Sequence, residues 1–76
     1  MSVMQIAQLK AGRIFGDCET NEYVYMPAGE IGAKEPLCVY ETDTRRDDVS
    51  LDEALRLIRI RSLHPTCHPS LGESSC

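Results

Sequence analysis

Leu51, Ala54, Leu55 and Ile58 recur at intervals of three and four, the spacing that lines one face of an α-helix. Ser50 stands just before them and Glu53 follows three places later, the pattern of a capping box. Asp52 and Glu53 fall in the first turn and Arg59 and Arg61 near the end, which suits the helix dipole at both termini. Asp52 and Arg56 are placed to pair at i,i+4. Pro65 disfavours helical backbone at His64, so the pattern predicts a helix that stops near Leu63. The partial alternation of Leu57-Ile58-Arg59-Ile60-Arg61 leaves a strand open for its second half.

A second, shorter helix is expected at 3–11. Ser2 and Gln5 have capping-box spacing, Val3, Ile6, Ala7 and Lys10 share a face, and Gly12 suits a helix stop. Met4 and Ile6 alternate with Gln5, so a strand competes there. Three segments read as strands. Residues 13–18 come first, then 22–26, where Tyr23, Val24 and Tyr25 favour extended backbone, then 37–41 with Val39 and Tyr40. Pro27 ends the second strand. Residues 28–36 read as a glycine-broken loop and 42–48 as a charged connector. Strands joined by short links pair antiparallel. The expected fold is α+β: a three-stranded antiparallel sheet packed by one main C-terminal helix and a short N-terminal one. The domain spans 1–64, and 65–76 is a polar tail.

The chain has 76 residues, room for one modest core that buries about 60% of its unfolded surface. The net charge of −4 is unevenly placed. Residues 17–53 hold eleven acids against three bases, and the remainder holds one acid against five. The middle is therefore acidic by eight charges and the flanks basic by four. Such a middle repels phosphate and attracts basic surfaces, so direct nucleic-acid binding is not expected. No run approaches the roughly 20 apolar residues of a membrane helix, and the first residues do not read as an export signal. The expected location is the cytoplasm of the producing cell or of an infected host, where Cys18, Cys38, Cys67 and Cys76 stay reduced. A disulfide between Cys18 and Cys38 is the alternative.

Candidate chemistry is sparse. His64, Cys67, His68 and Cys76 are the residue types that zinc takes, but they form no CxxC pair. Asp17 and Glu19 flank Cys18 and argue against a thiolate nucleophile there, while Cys38 reads as a small buried hydrophobe. The glycines match no phosphate-binding loop. No enzyme is expected.

Tyr23 and Tyr25 lie two apart on a strand and share a face. If Val24 enters the core, the tyrosines with Tyr40 form an exposed surface ringed by Glu19, Glu22, Glu41, Asp43, Asp47 and Asp48. If the pleat is reversed, they pack under the helix. The first arrangement suits a protein-binding face, since tyrosine is enriched in interface hot spots. The expected function is a small acidic module that occludes a basic surface of a partner, including one that binds nucleic acid, by imitating its charge. Acidic single-domain proteins of phages and mobile elements act in this way against host machinery, and the likeness is one of size and charge. The alternative is a zinc- or redox-responsive Cys/His domain. Self-association through a strand edge or helix stripe is compatible with either.

Overall fold

The computed structural model describes residues 2–66. The elements run α1 (Ser2–Lys10), β1 (Ile14–Asp17), β2 (Glu22–Tyr25), a 3-10 turn at Ala28–Glu30, β3 (Leu37–Glu41), β4 (Arg46–Ser50), α2 (Leu51–Ile60) and β5 (His64–Thr66). The five strands form one sheet in the order β4-β3-β2-β1-β5, antiparallel throughout. The first four make a meander. α2 then carries the chain from one edge of the sheet to the other, where β5 pairs with β1.

This α+β architecture has five strands where three were expected. The second half of the charged connector runs into β4, whose Asp47 and Asp48 lie opposite Tyr40 and Val39. Charged residues have low strand propensity, but an edge strand needs only one paired side. Pro65 and Thr66, expected in the tail, belong to β5 and pair with Phe15 and Ile14. A proline fits an edge strand where its missing N–H faces outward. Residues 67–76 lie outside the described residues. α2 is not clearly the main helix, since it has ten residues and α1 nine.

Each helix ends as its local sequence dictates. Gly12 adopts φ 94°, its N–H donates to the Leu9 carbonyl, and the Arg13 N–H donates to Gln8. α2 closes in the same way, with Ser62 at φ 55° donating to Arg59 and Leu63 donating to Ile58. These are Schellman closures, and they stop α2 at Ile60, short of the stop expected from Pro65. At the other end the Ser50 hydroxyl accepts from the Glu53 N–H at 3.1 Å. Arg56 pairs with Glu53 at 3.8 Å instead of with Asp52.

Both helices pack on one face of the sheet. Phe15, Val24, Met26 and Cys38 meet Leu9, Ala54, Ile58 and Leu63 there, with Leu51 and Leu55 partly buried against them. α2 thus buries the expected stripe. Among the α1 residues whose burial is described, Leu9 is the fully buried one; Ile6 is half-buried, and Ala7 and Lys10 are exposed. On the opposite face, Ile14, Tyr23, Tyr25 and Val39 form a second buried cluster. Among the described residues no helix covers that face. Pro27, Ala28 and Ile31 border it and share a cavity of about 380 Å³ with Ile14, Tyr25 and Arg46. Among the described residues no helix is long and apolar enough to cross a membrane.

Candidate protein-binding surface

Val24 points under the helices, so the pleat sends Tyr23 and Tyr25 to the helix-free face. They are nevertheless buried, 4% and 7% exposed. The two faces were expected to be core and solvent, but here both are apolar, and β2 is buried along its whole length. Tyr23 lies opposite Gly16 and its ring fills the space a side chain would occupy. The Tyr25 hydroxyl donates to Glu41 Oε1 at 3.1 Å and accepts from Arg46. Burial raises both phenols above their ordinary range, and neighbouring carboxylates add to it: Glu41, Asp17 and Asp43 around Tyr23, Glu41 beside Tyr25. Tyr40 falls on the helix side, partly buried against the main core.

Glu22, expected on the binding surface, is buried at the start of β2. Its carboxylate accepts hydrogen bonds from Thr20 Oγ1 at 3.2 Å and from the Tyr40 hydroxyl at 3.2 Å, and pairs with the Arg61 guanidinium. Arg61 holds this carboxyl below the usual range despite burial, and Glu22 raises Arg61 in return. Tyr40 is raised first by burial and then by the Glu22 charge. The network anchors the end of α2 to the sheet. Arg61 is 39 residues from Glu22 in sequence, so only a helix crossing the sheet brings them together.

The acids divide by position. Asp17, Glu19 and Asp43 lie at one end of the sheet, in and beside the β1–β2 and β3–β4 turns. Asp17 Oδ1 accepts from the Glu19 N–H at 2.9 Å, and Asn21 reaches across to Asp43 at 3.5 Å, joining the two turns. Asn21 supplies the left-handed backbone at φ 58° that this tight turn requires. No lysine or arginine among the described residues forms a salt bridge with Asp17, Glu19 or Asp43. Glu41 joins this end from β3, opposite Arg46. Asp47 and Asp48 lie on β4, pointing to opposite faces. Asp47 pairs with Arg45 at 3.3 Å, while Asp48 is exposed beside Arg46. The structure therefore gathers Glu19, Asp43 and Glu41 with Asp17, a residue the sequence reading did not select. It withdraws Glu22 into an internal ion pair.

Other features carry less chemistry. Cys18 is an exposed free thiol and Cys38 a buried one, whose burial pushes it up to about 11. Of the zinc candidates only His64 is among the described residues, exposed, with its ring nitrogen 3.4 Å from the Pro65 carbonyl. The described residues contain no cluster of three or more His, Cys, Asp or Glu suited to a metal ion. An open, largely apolar groove of about 860 Å³ runs between α1 and β5, with Phe15, Leu63 and the exposed Met4 in its walls. Comparison with protein-family models, with curated proteins and with solved structures finds no match to this chain.

Proposed function

We propose that this chain is a protein-binding module that docks its acidic turn end on a basic surface of a partner and acts by occluding it. The supporting observation is the pair of adjoining turns that present Glu19 and Asp43, with Asp17 beside them and no basic side chain among the described residues paired to any of the three. Charges held on short turns of a sheet keep their spacing. That favours fast, selective encounter with a surface of opposite sign. The partner class is a protein whose basic site serves nucleic acid, which the module would imitate in charge. The tyrosines act here as braces beneath the acidic end, with their rings withdrawn from contact.

The test is affinity capture from host lysate with the wild-type chain and with a Glu19→Arg/Asp43→Arg variant of equal thermal stability. A specific protein should be retained by the wild type, lost with the variant, and released by raised salt or by added nucleic acid. Equal retention by both chains would refute it.

A further inference from the structure

We propose that β4 is a self-association edge, through which two copies of the chain pair antiparallel across Arg46–Ser50 and join their sheets into one. This goes beyond the docking reading and does not depend on it, because the acidic turn end is a different surface.

The phase of the β3–β4 ladder is fixed by the Thr42 N–H donating to the Arg45 carbonyl at 2.8 Å. Hydrogen-bonded pairs alternate along an antiparallel ladder. Tyr40↔Asp47 and Cys38↔Val49 are then the bonded pairs, and Arg46 and Asp48 turn their N–H and C=O away from the sheet. The Leu37 N–H agrees with this phase, since it points away from β4 and donates to the Glu30 side chain at 3.0 Å. Among the described residues β4 is the outermost strand on its side, and Arg46 and Asp48 are exposed. β5, the opposite edge, is three residues long with proline at its centre and offers no comparable row of donors.

Arg46 and Asp48 are two apart, share the helix-free face and carry opposite charges. A twofold axis through Asp47 sets Arg46 of each copy against Asp48 of the other. The outward backbone groups of both residues pair at the same step, giving four main-chain bonds and two cross-strand ion pairs. The two Asp47 side chains meet at the axis, but each is already paired with its own Arg45 at 3.3 Å. An axis through Asp48 would oppose the two Asp48 carboxylates and set each Arg46 against Ser50, giving no cross-strand ion pair, and is disfavoured. Charge complementarity thus selects both the occupant, a second copy, and the register.

A contact of five residues is small for a stable interface, so a weak dimer is expected, with Kd on the order of 10⁻⁵ to 10⁻³ M. Sedimentation of the full chain over that range should show the mass rising toward the dimer. Asp48→Arg alone should weaken association about tenfold, since it sets like charge against Arg46 of the other copy. Asp48→Pro removes only an outward N–H, so it should stay folded by circular dichroism and be monomeric throughout. Hydrogen exchange on the wild-type chain supplies a readout free of folding defects, with the Arg46 and Asp48 amides becoming more protected as concentration rises. A wild-type chain that stays monomeric at every concentration would overturn the proposal. So would a dimer that survives Asp48→Pro, or amide exchange that is independent of concentration.

Discussion

A methyl group on Gly16 would lie 2.5 Å from both the Glu22 carbonyl oxygen and the Tyr23 ring. Neither can retreat easily, because one is ladder backbone and the other is packed in the second cluster. Gly16→Ala should therefore cost about 1–3 kcal/mol, read as a lowered urea midpoint with an unchanged m-value. Glu22 sets a pH dependence. Arg61 and two hydroxyl donors lower its folded pKa below the ordinary 4.5, so the carboxylate form stabilises the fold. The contribution is complete above the unfolded value and is lost as pH falls below it toward the folded pKa. Glu22→Gln should lower the urea midpoint at pH 7, and its deficit against the wild type should shrink as pH falls from 5 toward 3. A deficit that is constant with pH would assign the loss to packing instead of charge. Arg61 is half-exposed, so the effect is smaller than for a fully buried pair. Little of this was legible beforehand. Glu22 reads in sequence as one more surface acid, because nothing local marks its partner 39 residues away.

At the scale of elements, the two ends of α2 make opposite predictions. The Ser50 hydroxyl satisfies the Glu53 N–H, so Ser50→Ala should destabilise by about 1 kcal/mol. Ser62 holds a left-handed backbone at φ 55° where glycine is at ease, so Ser62→Gly should stabilise by roughly 0.5–1 kcal/mol. Thermal melts of the two variants should move in opposite directions. The N-terminal signal and the Gly12 stop were readable because capping is settled within a few residues. β3 was readable to the residue, since Leu37–Glu41 is a compact run of strand formers. β4 and β5 were not. Arg46-Asp47-Asp48 and His64-Pro65-Thr66 have poor intrinsic strand preference and become strands because a neighbour offers them a ladder. The i,i+4 pair expected at Asp52 went to Glu53 because Arg56 also reaches i,i−3 on a helix.

Across the whole molecule, the sheet separates two apolar layers, and the cysteines report on one of them. Cys38 has no exposed surface and its thiol is pushed up to about 11, so it should resist alkylation in the native state. Cys18 is exposed at the β1–β2 turn. Brief alkylation at pH 7.5 followed by peptide mass spectrometry should find Cys18 modified and Cys38 modified only after denaturant is added. Rapid native labelling of Cys38 would show that the helix face opens readily. The chain by itself determined what is decided over short distances: where α2 begins, where α1 stops, that Tyr23 and Tyr25 share a face, and that the middle is acidic. Only the tertiary structure decided that this face is a second buried cluster, which acids stay clear of arginine, and that charged β4 and proline-bearing β5 flank the sheet. Burial and ion pairing depend on groups brought together across the fold, and strand order is a property of the assembled sheet, while helix caps and side-chain periodicity are properties of adjacent residues.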